Sequence, residues 1–164
     1  MKYDVIIIGG GQAGSMLAIT LRQKKFLGSI LLISDEPHLP YQRPPLSKDF
    51  LTGTIPEKSL YFKSSAYYGK NQVDILLNIH VTSINRTDKC IGLTDGSNFY
   101  YEKLVIAAGS ELNKLDLHCQ EEEIYYLRTI NDSMKIRSLL GREQKIVIIG
   151  AGYIGLEIAA AASE

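Results

Sequence analysis

The stretch that most restricts the fold opens the chain: an unbroken apolar run, Val5–Ile8, runs into Gly9, Gly11 and Gly14, and Gln12–Lys24 carries Met16, Leu17 and Leu21 at helical spacing. A run without polar alternation suits a parallel strand buried on both faces. The glycines therefore stand where a strand turns into a helix, the context in which GxGxxG has physical meaning. The first glycine permits the tight turn, the second allows close approach of a pyrophosphate, and the third lets helix and strand pack together. The free N–H groups of the helix then face the phosphates. A second apolar run, "SILLIS", ends at Asp35, about where a carboxylate accepts hydrogen bonds from a dinucleotide ribose. Strand, glycines, helix, strand and acid in this order predict a dinucleotide-binding βαβ unit.

The same pattern recurs near the end. Ile146–Ile149 is followed by Gly150, Gly152 and Gly155, with Glu157–Ala162 opening a helix. Two fingerprints imply two dinucleotides. At 164 residues the chain has room for one domain with an adequate core, and two complete dinucleotide domains do not fit. The formal net charge is zero, which gives no bulk electrostatic reason to expect nucleic acid or an acidic partner. Apolar stretches are strand-sized, so no membrane span is expected, and the start of the chain lacks the pattern of a secretory signal. A cytoplasmic location is the expectation.

Residues 37–60 are rich in proline, aromatic and basic, and read as an ordered functional loop. Ser47 is placed to cap a short helix beginning at Lys48, and Ser64–Lys70 reads as another short helix. From Val73 the pattern becomes β: "VDILLN", "HVTSIN", "KCIGLT" and "NFYYE", with Asp95–Gly96 as a hairpin pair. This predicts an antiparallel meander inserted into a parallel framework. Lys103–Ala108 reads as a further buried strand leaving through Gly109, with Ala107 and Gly109 small so that backbone can lie against a cofactor. Ser110–Gln144 reads as a crossing segment with one strand, "IYYLR", and one helix, about Asp132–Leu140. The acidic run Glu121–Glu123 reads as a solvated face. Cys90 and Cys119 form neither a CxxC pair nor a metal-ligand cluster, and His38, His80 and His118 are scattered, so no metal site or histidine chemistry is assigned. The paired tyrosines at 67–68, 100–101 and 125–126 read as half-buried structural positions rather than a base-stacking platform.

In order, "VIIIGGGQAG", "YQRPPLSK", "LVIAAGS", "YLRT" and "IVIIGAGYIGLEIA" closely resemble the two-dinucleotide flavoprotein reductases, and most of all the NADH-dependent ferredoxin or rubredoxin reductase branch, to which apoptosis-inducing factor is related. "RPPLSK" is the most specific piece. The resemblance implies an α/β fold: a Rossmann-like FAD-binding parallel sheet with an inserted antiparallel β-meander, plus the first βα of a second Rossmann-like unit. It divides the chain into 1–109, the first half of an FAD-binding domain, and 110–164, a crossover and the opening of an NAD(P)-binding domain.

By resemblance, Gly9, Gly11, Ala13 and Gly14 lie near the FAD pyrophosphate, Asp35 on the adenosine ribose, and Arg43 against phosphate charge. Val81 resembles the residue whose backbone recognises adenine, Ala107 and Gly109 lie along the cofactor, and Arg128 resembles the arginine of the "LRT" motif that reaches the flavin. Gly150, Gly152, Ile154 and Gly155 would receive NAD(P)H. Lys48 resembles the lysine beside the reactive edge of the isoalloxazine and Glu157 the glutamate that pairs with it. A cation held there favours the negative charge that reduction adds, and the carboxylate fixes the cation. The "PYQRPPLSK" loop holds no redox cysteine, which favours electron transfer to a ferredoxin or rubredoxin over disulfide reduction. The resemblance also implies that the chain stops inside the inserted domain. The expectations are then weak or absent FAD binding, no turnover with NADH, and self-association through an apolar last helix that includes Ile154, Leu156 and Ile158. The alternative reading is a stand-alone FAD or nucleotide-binding module, or a half-enzyme complemented by another chain.

Overall fold

The computed structural model describes residues 1–115, 123–140 and 145–163. His118, Cys119 and the pair Glu121–Glu122 lie outside them. Two compact units are present: Met1–Gln42 with Tyr61–Ser110, and Arg43–Leu60 with Glu111–Glu164.

The first unit is built on a six-stranded sheet. Its elements in chain order are β1 (Lys2–Ile8), α1 (Gln12–Gln23), β2 (Ile30–Ile33), α2 (Ser65–Lys70), β3 (Val73–Leu76), β4 (Val81–Asn85), β5 (Cys90–Leu93) and β6 (Asn98–Ile106). The spatial order is β3-β2-β1-β6-β5-β4. Strands β3, β2, β1 and β6 are parallel neighbours, while β4 and β5 continue the sheet antiparallel from β6. The apolar run of β1 explains its central place. Val5 and Ile7 point into one layer with Ala18 and Ile19 of α1 and Tyr68 of α2, and Ile6 points into the opposite layer with Ile91, Leu93 and Tyr101. Each wholly buried isoleucine contributes roughly 1.5–3 kcal/mol relative to exposure.

Three details differ from the sequence expectation. "VDILLN" does not join the meander, because α2 precedes it and supplies the long connection a parallel pairing needs; Val73 pairs with Ile30. "NFYYE" and the following apolar run are one strand, since no turn-forming residue separates them. Leu104 and Val105 are half-buried and Ile106 is exposed, because β5 flanks only the Asn98–Tyr100 part of that strand. On α1 the buried stripe is Gly14, Ser15, Ala18 and Ile19, with Met16 exposed, since small residues let the helix lie close to the sheet. Arg22 at the end of α1 was not singled out by sequence. Its guanidinium donates to the carbonyls of Asn71, Gln72, Phe26 and Gly28 at 2.6–2.8 Å, tying α1 to the connection before β3.

The second unit carries α3 (Ile130–Arg137) and α4 (Tyr153–Ala162). Helix α3 starts two residues earlier than the periodicity suggests because Thr129 and Asp132 form a reciprocal capping box. No helix begins at Lys48. Pro44–Ser47 is instead a short 3-10 turn, with the Pro45 carbonyl accepting from both Lys48 and Phe50 N–H groups. "IYYLR" and Ile146–Ile149 are not strands, since neither finds a partner for its ladder among the described residues; Val147 is 84% exposed. Among the described residues no helix is long and apolar enough to cross a membrane.

Candidate functional site

The first glycine turn is shaped by contact as much as by conformation. Gly9 has φ +114°, and a Cβ there would stand 2.2 Å from the carbonyl oxygen of Ala107. Neighbouring strand ends hold it: Gly9 N–H donates to Ile33 and Ala107 N–H to Ile8. Ala107 meets Gly9 through its backbone, so the residue that must be small at this contact is Gly9. A Cβ at Gly14 would lie 2.0 Å from the Gly9 carbonyl oxygen, so this glycine sets the helix against the turn. Gly11, the N-cap of α1, differs: nothing lies within 4 Å of where its Cβ would project. The first turn of α1, including Ala13, leaves N–H groups without intrahelical acceptors.

Beside this turn is a cleft of about 130 Å³ lined by Gly9, Ala108, Asp35, His80 and Val81 among others. Local hydrogen bonds assemble it. Ser34 N–H donates to Leu76, Ile79 N–H to Ser34, and Asn78 N–H to Glu36, which folds the connection before β4 back onto the end of β2. Asp35 and Val81, far apart in sequence, therefore meet in one place. His80, to which sequence assigned nothing, stands with Nδ1 4.0 Å from an Asp35 carboxylate oxygen. Its position immediately before Val81 was the available signal. At or beside the cleft stand glycine backbone at the turn, open space above Gly11, and an exposed carboxylate, Asp35, at the rim. Gly109, at φ +75°, carries the chain away past it. A larger hollow of about 590 Å³ over the antiparallel strands, bordered by Ser83, Cys90 and Tyr100, holds none of the fingerprint groups.

The second unit contains the other glycine turn. Gly150 has φ +110°, a Cβ at Gly155 would lie 2.3 Å from the Gly150 carbonyl oxygen, and the space above Gly152 is open. Ile154 is exposed. Further along α4, Glu157 accepts a 2.8 Å salt bridge from Lys48 on Oε1, and the Ser47 hydroxyl donates to its Oε2. The Lys48 and then the Ser47 hydrogen bond hold the Glu157 carboxyl below its ordinary value. Ser133 Oγ of α3 donates to the Leu46 carbonyl at 2.7 Å, anchoring the turn that carries Ser47 and Lys48. Arg43 donates to the carbonyl of Arg128 at 2.5 Å, and Arg128 N–H donates to the capping Asp132.

Residues 3–164 match the family model described as pyridine nucleotide-disulphide oxidoreductase. The chain is 41% identical over 161 residues to the ferredoxin--NAD(+) reductase component of the 3-phenylpropionate/cinnamic acid dioxygenase of Photorhabdus laumondii, covering 97% of this chain and 40% of that protein. It is 37% identical to putidaredoxin reductase of Pseudomonas putida, covering 97% of this chain and 39% of that protein. Among solved structures, the covalent putidaredoxin reductase–putidaredoxin complex superposes with a TM-score of 0.94 at 36% identity, over 98% of this chain and 40% of that one. NADH:rubredoxin oxidoreductase from Clostridium acetobutylicum superposes with a TM-score of 0.89 at 31% identity, over 99% and 42% respectively. The chain spans about 40% of the length of these relatives.

Proposed function

Since the chain belongs to the pyridine nucleotide-disulphide oxidoreductase family, whose members use FAD and NAD(P)H, we propose that it is the amino-terminal part of an NAD(P)H:ferredoxin or rubredoxin oxidoreductase. The observation that carries this reading is the cleft in which Gly9, Asp35 and Val81 converge beside the open face of Gly11. Gly9, Gly11, Ala13 and Gly14 would hold the FAD pyrophosphate on the start of α1, Asp35 would accept from the ribose hydroxyls, and the Val81 backbone would meet the adenine edge. Ala107 and Gly109 would lie along the cofactor. Arg43 would balance phosphate charge, and Arg128 would reach the flavin. Gly150, Gly152, Ile154 and Gly155 would receive the pyrophosphate of NAD(P)H.

Bound FAD would supply acceptance of a hydride from the nicotinamide and release of its electrons singly to an iron–sulfur or rubredoxin centre. Lys48 would stand by the reactive edge of the flavin ring and favour added negative charge there, and Glu157 would keep the ammonium in place. The electron partner is inferred from relatives named as ferredoxin and rubredoxin reductases.

The test is a fluorescence titration of FAD with the purified chain, which reads weak binding without removal of excess cofactor. Saturable quenching by the wild type that is lost in a Gly11→Leu variant supports the reading. Flavin fluorescence unchanged by the wild type overturns the cleft as an FAD site in this chain. Anaerobic mixing with NADH then asks whether a nicotinamide at the second glycine turn reaches the flavin: an unbleached flavin band is expected of this chain alone, and bleaching overturns that expectation.

A further inference from the structure

An exposed lysine–glutamate pair is a weak positioning device. Lys48 reaches Glu157 through a long flexible stem, and its side chain is 49% exposed. Such pairs hold geometry loosely, because side-chain entropy and solvent screening offset most of the attraction. Ser47 is different in kind. It is buried, its side chain is short, and it sits on a turn stiffened by Pro44 and Pro45 and anchored by the Ser133–Leu46 hydrogen bond. Consecutive residues thus grip one carboxylate, Lys48 on Oε1 and Ser47 on Oε2. The glycine turn itself does not require this acid, because the equivalent position on α1, two residues after Gly14, is Met16.

We propose that Ser47 is the positioning residue of the Lys48–Glu157 pair: its buried hydroxyl orients the carboxylate, and the carboxylate fixes the ammonium. The groups acting on the Glu157 carboxyl are Lys48 and Ser47, and α4 has no acidic residue in its first turn or basic residue in its last. The flexible member of the pair is therefore guided by the rigid hydroxyl beside it in the chain. The consequence for flavin chemistry rests on the function proposed above; the geometric claim does not.

The experiment has two arms. In the first, the chain carrying ¹³C-labelled glutamate carboxyls is titrated by NMR, with Glu157→Gln used to assign the resonance. Ser47→Ala is expected to move the Glu157 midpoint upward, toward the ordinary glutamate range, and Ser47→Thr to restore it. A midpoint unchanged in Ser47→Ala overturns the inference. If that variant does not fold, Ser47→Cys replaces it, and an unchanged midpoint is equally fatal. In the second arm, the reduction potential of FAD bound to the chain is measured. Lys48→Met is expected to lower it, and Ser47→Ala to lower it less. A potential indifferent to Lys48→Met overturns the flavin role of the pair, while the carboxyl titration independently decides the role of Ser47.

Discussion

The two glycine turns are the same object in different surroundings. Gly9 and Gly150 share a left-handed φ within a few degrees, and Gly14 and Gly155 each press against the carbonyl of the first glycine. Ahead of Gly9, however, Ile6 and Ile7 are wholly buried between paired strands, whereas Val147 and Ile149 ahead of Gly150 are largely exposed. Thus the glycine spacing dictates the turn, and burial of the preceding run depends on which strands lie alongside. A fingerprint is local information; a strand is not.

Substitutions can break that comparison. The largest expected difference is Ile7→Ala against Val147→Ala: about 3–4 kcal/mol lost in the first, and less than about 0.5 kcal/mol in the second, measured by denaturant unfolding. Equal losses would mean that Val147 is covered in solution. Next is Gly9→Ala against Gly150→Ala. The first meets both unfavourable φ and the Ala107 carbonyl and should cost about 3 kcal/mol. The second meets only the φ term, about 1–2 kcal/mol, readable by hydrogen exchange of α4 amides. Smallest is the acid response of α4. The Glu157 carboxyl is lowered in the folded chain, so its stabilisation is fully present above the ordinary value of 4.5 and is lost as the pH falls through the lowered value. Protection of α4 amides should drop over that window in the wild type. In Glu157→Gln the part of this drop due to Glu157 should be absent. A wild-type drop of equal size in the variant would show that the pair does not hold the helix.

What sequence revealed and what it missed divide along the same line. The β1–α1–β2 unit, the Asp95–Gly96 hairpin and the capped helix after Ser64 are written in adjacent residues, so turn chemistry and periodicity find them. The parallel placement of Val73–Leu76 and the absence of a ladder at "IYYLR" and at 146–149 depend on partners distant in the chain. No window of residues contains that information. At the candidate site, Asp35 and Val81 could be singled out one at a time, but their meeting needed the Ser34–Leu76 and Ile79–Ser34 hydrogen bonds. Serine before a turn commonly caps a helix, which is the reading that Ser47 invites; it is instead the last residue of the Pro44–Ser47 3-10 turn, and a residue 110 positions later supplies its acceptor.

The unbroken run of β6 has a wider meaning for how such a domain can change. One strand serves as a spliced beam: its leading half carries the meander, and its trailing half fixes Ala107 against Gly9 through the Ile8–Ile106 register. A change in the hairpin hung from the leading half therefore need not disturb the alignment of the first glycine turn, which is held by the far end of the same beam.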